Sequence, residues 1–139
     1  EGPEKENIEK IIFQKHLGDC VRLSGWVKRE ELPQIYDLGK VFVISSLHEG
    51  FAITLLEAHS RGLPAIVTSS SGFCSEFING YNNITGIVFK PEDIYNYNFY
   101  KKVSSLVDEY ENYEGICLKK SRVFSEDNVL KPIMEASIS

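Results

Sequence analysis

The sequence predicts an α/β protein with a Rossmann-like, mostly parallel sheet that is flanked by helices. Strand patterns alternate with helix patterns along the chain, and this order produces parallel strands joined by crossover helices. Residues 41–45 and 65–68 are almost entirely apolar, which is typical of strands buried on both faces of such a sheet. A chain of 139 residues is long enough for one domain with a hydrophobic core.

The first part of the chain carries two helix patterns around a short strand pattern. Apolar residues recur at helical spacing over residues 4–17, and Gly18 is a candidate C-cap. Residues 21–24 have the pattern of a short strand that ends at Gly25. A short amphipathic helix is predicted over residues 28–38.

The rest of the chain alternates strands and helices. The predicted elements are strands over 41–45, 65–68 and 86–89, a helix over 53–61, a short helical turn over 74–78, an aromatic-rich helical segment over 95–113 and a helical tail from residue 114. The aromatic side chains of Tyr95, Tyr97, Phe99 and Tyr100 are expected to pack against the core.

One stretch, residues 45–58, combines a strand end, a polar loop and a helix start. Ligands bind at the carboxyl ends of parallel strands, and a helix N-terminus favours anions through its free amides and its dipole. Gly50 lies where the backbone can approach a ligand closely. Glu49 in the loop and Glu57 in the second helical turn can each accept two hydroxyl groups, as a sugar or a ribose presents them. The stretch therefore predicts a site for a phosphate and a sugar.

Each of these residues also has a purely structural interpretation. Glu57 could be a solvated helix residue and Glu49 a charge at the helix start, although the apolar neighbours of Glu57 argue against solvation. Gly50 and Gly72 could serve turn geometry alone. Trp26 could belong to the core instead of forming the wall of a base pocket.

The three histidines and the absence of common fingerprints narrow the choice further. His48 could pair with the neighbouring carboxylate or contact a ligand, whereas His16 and His59 are expected on helix surfaces. The sequence contains neither a Walker motif nor GxGxxG, and no Ser or Cys has the surroundings of a catalytic nucleophile.

Composition excludes several classes of protein. The net charge of −5 disfavours a DNA or RNA partner, because phosphate backbones bind basic surfaces. The three cysteines are widely spaced without CxxC or Cys/His pairing, so we expect neither a disulfide framework nor a zinc site, and a reducing cytoplasmic setting. No apolar run approaches the ~20 residues of a membrane span.

A longer pattern extends from Glu49 to Pro64. It reads Glu-Gly-Phe, Leu-Leu-Glu-Ala and Gly-Leu-Pro, with three residues between successive parts and seven between the two glutamates. Supporting segments follow the same order along almost the whole chain, at residues 23–27, 30–36, 45–46, 65–68, 72–76 and 86–89. Together they resemble the C-terminal, donor-binding domain of retaining glycosyltransferases with the GT-B fold, in particular the group 1 (GT4-like) family. The resemblance implies the C-terminal half of that fold.

The resemblance also implies a role for each matched position. Glu49 would lie beside the donor sugar as the catalytic carboxylate, Glu57 would bind the ribose hydroxyls, and Thr54 would lie near the diphosphate. The backbone amides that would face the sugar and phosphates are those of Gly50, Phe51 and Ala52. A second loop, formed by Gly25, Trp26 and Val27, would lie along the base. The implied substrate is a nucleotide-sugar such as a UDP- or GDP-sugar, with no further cofactor and no metal-binding residues.

Some parts of the family pattern are replaced or missing. Ala52 and Ser71 stand where the family commonly has glycine. The family's diphosphate-binding Arg and Lys, and its acceptor-binding N-terminal domain, would precede the opening turn at Gly2-Pro3. Residues 1–139 are therefore expected to form a single, incomplete donor-binding domain of a longer two-domain enzyme, and to be inactive alone.

Two other functions stay open at this point. The chain could be a non-catalytic α/β binding module or partner subunit whose site has decayed, or a sugar-nucleotide epimerase-like domain. The Glu-Gly-Phe segment argues against the epimerase. The expected location is cytoplasmic, with contact to a membrane only through the missing domain of the full-length protein and no contact with nucleic acid.

Overall fold

The computed structural model describes residues 2–50, 52–80, 84–125 and 127–128. The chain forms two compact units, Glu1–Leu32 and Pro33–Ser139, and each is described by itself.

The first unit contains helix α1 (Lys5–Gln14), which ends earlier than its apolar pattern predicts. His16 adopts a left-handed conformation with φ +53°, and the Leu17 amide bonds the Ile12 carbonyl at 2.9 Å. The left-handed residue that closes the helix is therefore His16, and the prediction of Gly18 as C-cap was wrong.

The strand predicted over residues 21–24 does not form in the described structure. The Val21 amide instead donates to the Leu17 carbonyl at 2.8 Å, within a turn. A strand is stable only when a neighbour takes up its backbone hydrogen bonds, and the described sheet does not pair with these residues.

Helix α2 (Leu32–Asp37) is shorter than the predicted 28–38. Two turns precede it, in which the Glu31 amide bonds the Lys28 carbonyl at 3.0 Å. Pro33 occupies the first helical turn, where its missing N–H leaves no intrahelical bond unmade.

The second unit is built on a parallel three-stranded sheet, as the alternating pattern predicts. Its strands are β1 (Phe42–Ile44), β2 (Ala65–Thr68) and β3 (Gly86–Phe89), in the order β1-β2-β3. All four residues of β2 are buried, whereas Val43 of β1 is 56% exposed. The expected burial of the first strand on both faces is wrong, because β1 lies at the edge of the described sheet and β2 in its middle.

Five helical segments follow the strands of this sheet. They are α3 (Ile53–Ser60), α4 (Phe73–Asn79), a 3₁₀ turn (Pro91–Tyr95), α5 (Tyr97–Asp108) and α6 (Glu111–Arg122). The Asn96 side chain accepts the Asn98 amide at 2.8 Å and so caps α5. The segment predicted as one helical stretch over 95–113 is thus divided between a 3₁₀ turn and two α-helices.

Successive residues of β2 point to opposite faces of the sheet, and each face has its own core. Ala65 and Val67 pack with Leu55 of α3 and Phe77 of α4, all of them fully buried. Ile66 packs on the other face, with Phe89 and Leu106. The sheet therefore lies between α3 and α4 on one side and α5 on the other.

The predicted packing of the aromatic residues after β3 holds for one of them. The Phe99 ring lies 5.0 Å from the Phe89 ring. Tyr95, Tyr97 and Tyr100 are 91%, 68% and 66% exposed, so the prediction was wrong for these three. Their hydroxyl groups can remain in water, which removes the need to find a buried partner.

His59 is fully buried, although it was expected on the surface of its helix. Its Nε2 lies 2.9 Å from Thr85 Oγ1, and Lys120 of α6 reaches the same hydroxyl at 3.4 Å. Burial, aided by the charge of Lys120, lowers the pKa of His59 to about 4. Helix α6 packs over α3, and this covers the position that the helix pattern alone leaves in solvent.

Candidate functional site

Two loops lie side by side at the carboxyl ends of β1 and β2. Residues 45–52 lead from β1 to α3, and residues 69–72 lead from β2 to α4. Thr68 Oγ1 donates to the Ser46 carbonyl, and the Phe73 amide donates to the Gly50 carbonyl at 3.3 Å. These bonds hold the first loop against the end of the neighbouring strand, at the edge of the sheet where ligands of open α/β sheets bind.

Gly72 of the second loop lies against the backbone of the first loop. It has φ +53°, and a Cβ at this position would lie 2.5 Å from the Glu49 carbonyl oxygen. The space beside Gly72 is therefore filled by the backbone of the first loop. Gly50 differs, because a Cβ there would meet no atom within 4 Å. Of these two glycines, Gly50 is the one with open space beside its backbone.

The N-terminus of α3 has no side-chain cap. Ala52, the residue before the helix, is extended, and its amide donates to Cys74 Sγ at 3.4 Å. That amide is therefore taken by the protein itself. The next residues, Ile53 and Thr54, are exposed, and N–H groups in the first turn of an α-helix have no intrahelical acceptor. They carry partial positive charge that can bind an anion.

The two predicted carboxylates flank this helix start. Glu49 is half-buried in the loop, three residues before Ala52. Glu57 is half-buried as the fifth residue of α3, about 6 Å further along the helix axis than Ile53 at the usual rise per residue. Two acceptor groups thus lie before and after the free amides along the chain.

Glu57 has a partner that the sequence pattern did not indicate. The Tyr36 hydroxyl of α2 donates to Glu57 Oε2 at 3.0 Å. Burial of the ring, the hydrogen bond and the carboxylate charge together raise the pKa of Tyr36 to about 12. The amphipathic helix predicted over residues 28–38 includes Tyr36 but indicates no partner for it. The available signal was that a half-buried tyrosine hydroxyl needs a polar partner.

The remaining predicted site residues are placed as follows. His48 is exposed in the first loop, and Phe51 lies outside the described residues. Gly25, Trp26 and Val27 belong to the first unit, where Gly25 has φ +67° and Trp26 is 72% exposed. Trp26 lines a groove of about 620 Å³ within that unit, together with Lys5 and Arg22. The core interpretation of Trp26 therefore does not hold.

The described residues contain no group of three His, Cys, Asp or Glu side chains that could hold a metal ion. Among the described residues, no helix has the length and apolar character needed to cross a bilayer.

Comparison with known proteins gives the chain its relatives. Over 90 residues it is 37% identical to mannosylfructose-phosphate synthase of Agrobacterium fabrum. The aligned segment covers 65% of this chain and 19% of that protein. It is 33% identical over 94 residues to sulfoquinovosyl transferase of Arabidopsis thaliana, over 68% of this chain and 18% of that protein. The matched segment thus covers less than a fifth of the length of either relative.

The fold also matches a solved structure. Sucrose-phosphate synthase from Thermosynechococcus elongatus superposes with a TM-score of 0.81 at 20% identity, over 98% of this chain and 34% of that one. This likeness confirms the predicted fold class, the C-terminal half of the GT-B fold. The family model for glycosyl transferases group 1 matches residues 1–116. The chain therefore belongs to the group 1 glycosyltransferase family.

Proposed function

We propose that this chain binds the nucleotide-sugar donor of a glycosyltransferase and supports retaining transfer of the sugar to an acceptor. The observation that carries the proposal is the start of α3, where uncapped amides lie between Glu49 and Glu57 beside the open side of Gly50. A nucleotide-sugar presents the matching groups in the same order, with sugar hydroxyls, a diphosphate and ribose hydroxyls.

In this proposal each residue binds the part of the donor that its chemistry suits. Glu49 accepts hydrogen bonds from the donor sugar and is the catalytic carboxylate of the proposal. Amides at Gly50 and the first turn of α3, with Thr54, face the diphosphate and stabilise the negative charge that develops on it as the sugar leaves. Glu57 accepts the ribose hydroxyls. His48 stays a proposed ligand contact, and the Phe51 amide stays a proposed contact of the sugar and phosphates. Gly25, Trp26 and Val27 stay proposed contacts of the base.

The activity belongs to the whole protein in this proposal. The chain is taken as the donor domain, and a further domain supplies the acceptor site and the basic residues that grip the diphosphate. A UDP- or GDP-sugar is the substrate, and the isolated chain is inactive. A cytoplasmic location, with membrane contact only through the rest of the protein, is part of the same proposal.

The test compares the two carboxylates in the full-length protein. Glu57→Ala is expected to weaken nucleotide binding by about tenfold or more, because a lost hydrogen bond to a charged group is worth roughly 1.5–3 kcal/mol. Glu49→Ala is expected to reduce kcat far more than nucleotide affinity. Calorimetry with UDP and GDP, and initial rates of donor turnover, measure both.

Equal nucleotide affinity in Glu57→Ala and the unaltered protein would contradict the ribose assignment. A Glu49→Ala variant whose nucleotide affinity fell as much as its turnover would contradict the assignment of Glu49 to the sugar. Tight nucleotide-sugar binding without any turnover in the full-length protein would favour the non-catalytic binding module.

A further inference from the structure

The hydrogen bond between Tyr36 and Glu57 joins two helices at a carboxylate of the proposed site. The hydroxyl oxygen lies 3.0 Å from Glu57 Oε2, and the two residues are 21 positions apart in the sequence. The contact therefore depends on how α2 and α3 pack, and it constrains a side chain that the proposed function uses.

The donor in this bond is itself held in place. The Tyr36 ring meets the Phe42 ring of β1 edge to face, with centroids 5.8 Å apart and planes at 68°. The ring is half-buried. The hydroxyl is protonated at physiological pH, as any tyrosine is, and burial raises its pKa further to about 12, so it can donate.

The acceptor keeps capacity for a second partner. A carboxylate has about four lone-pair sites on two oxygens, and one phenolic O–H occupies one of them. A glutamate on an exposed helix surface samples several rotamers, and fixing it costs free energy at the moment of binding. The bond from Tyr36 to Oε2 restricts these rotamers before any ligand binds.

We propose that Tyr36 is a positioning residue, which orients the Glu57 carboxylate so that its remaining lone pairs accept the vicinal hydroxyls of a ribose. The inference rests on the proposed function and adds to it a residue outside the Glu-Gly-Phe pattern. Tyr36 itself makes no contact with the ligand, so its loss should be felt only by ligands that use Glu57.

A second contact between the same two elements provides a matched control. Asp37, next to Tyr36, receives a bidentate interaction from Arg61 at the end of α3, with Nε 2.7 Å from Oδ1. This pair also docks α2 on α3, but it does not touch Glu57. If Tyr36 served docking alone, loss of either contact would affect binding alike.

The experiment titrates the full-length protein with UDP, GDP and ADP by calorimetry, and continues with the nucleotide that binds most tightly and its 2′,3′-dideoxy counterpart. Four proteins are compared: unaltered, Tyr36→Phe, Asp37→Asn and Glu57→Gln. Tyr36→Phe keeps the ring against Phe42 and removes only the hydroxyl. Thermal unfolding of each variant accompanies the titrations.

Tyr36→Phe is expected to weaken the ribonucleotide about 3- to 10-fold, a fraction of the full loss of a charged hydrogen bond in Glu57→Gln. Its affinity for the dideoxynucleotide should equal that of the unaltered protein, and Asp37→Asn should bind both normally. The double variant Tyr36→Phe/Glu57→Gln should bind no more weakly than Glu57→Gln alone.

The possible failures are distinguishable. If Glu57→Gln and the dideoxynucleotide both weaken binding while Tyr36→Phe does not, the inference is wrong and the proposed function stands. Equal losses for both nucleotides in Tyr36→Phe, or equal losses in Tyr36→Phe and Asp37→Asn, would show a docking role only and overturn the inference. If no nucleotide binds the unaltered protein, or if Glu57→Gln and the dideoxynucleotide change nothing, the proposed function fails and the inference with it.

Discussion

Replacing Gly72 by alanine tests the close approach of the two loops at the carboxyl ends of β1 and β2. Its φ of +53° is a conformation that side-chain-bearing residues rarely adopt, and its Cβ would lie 2.5 Å from the Glu49 carbonyl oxygen. Backbone strain of this kind costs about 1–3 kcal/mol, and a forced displacement of packed atoms costs a similar amount. We therefore expect Gly72→Ala to lower the free energy of unfolding by roughly 2–5 kcal/mol.

Gly50→Ala is the matched control, two positions away from Ala52 in the other loop. The new methyl group would meet no atom within 4 Å, so the free energy of unfolding should change by less than about 0.5 kcal/mol. If the proposed function holds, the same methyl group narrows the space for the donor and should weaken nucleotide-sugar binding. One glycine is thus expected to control stability and the other ligand access.

Urea unfolding followed by far-UV circular dichroism measures both variants. A Gly72→Ala protein that unfolded at the same urea concentration as the unaltered chain would refute the steric reasoning. Equal destabilisation by the two substitutions would refute the distinction between the filled and the open side.

Two further predictions concern the core and the buried histidine of the second unit. Phe77→Ala should lower the free energy of unfolding by about 3–5 kcal/mol, because loss of a fully buried ring that packs on His59 and Phe124 leaves a cavity. Phe13→Ala, at an 82% exposed position, should change it little. Urea unfolding of both variants checks this, and similar losses would contradict it. Because of His59, the free energy of unfolding should decrease as the pH is lowered below 6.5, the ordinary pKa of histidine. Between pH 6.5 and about pH 4, the unfolded chain binds a proton at this residue and the folded chain does not. Urea unfolding at pH 7 and at pH 5 should show this loss, which amounts to up to about 2 kcal/mol over the roughly 1.5 pH units between 6.5 and 5. The loss should be smaller in His59→Gln. An equal loss in His59→Gln would assign the acid sensitivity to other groups.

Much of the second unit could be predicted because its signals are local. Strand β2 is a short apolar run, helix α3 carries apolar residues at helical spacing, and the apolar residues after Gly86 indicate β3. The loop with Glu49 and Gly50 follows from the same reasoning, since a strand end and a helix start must meet at the edge of a parallel sheet.

Three of the errors arose where a residue's surroundings come from distant parts of the chain. Residues 21–24 have the composition of a strand, but a strand also needs a neighbour to bond, and composition does not supply one. His59 has the position of a surface residue on α3, and α6, more than 50 residues later, covers it. Val43 is an apolar residue in an apolar run, which predicts burial, but it is exposed because its strand lies at the edge of the described sheet.

By itself, the sequence determined the α/β class, the parallel sheet and the stretch that carries the two proposed carboxylates. These depend on periodicity and spacing, which act over a few residues and can be read from the chain directly. Only the tertiary structure decided that Tyr36 bonds Glu57, that Gly72 faces the Glu49 backbone and that Cys74 takes the Ala52 amide. Each of these contacts joins residues about 20 positions apart, and such pairs meet only when the packing of helices on the sheet has fixed their distance and direction.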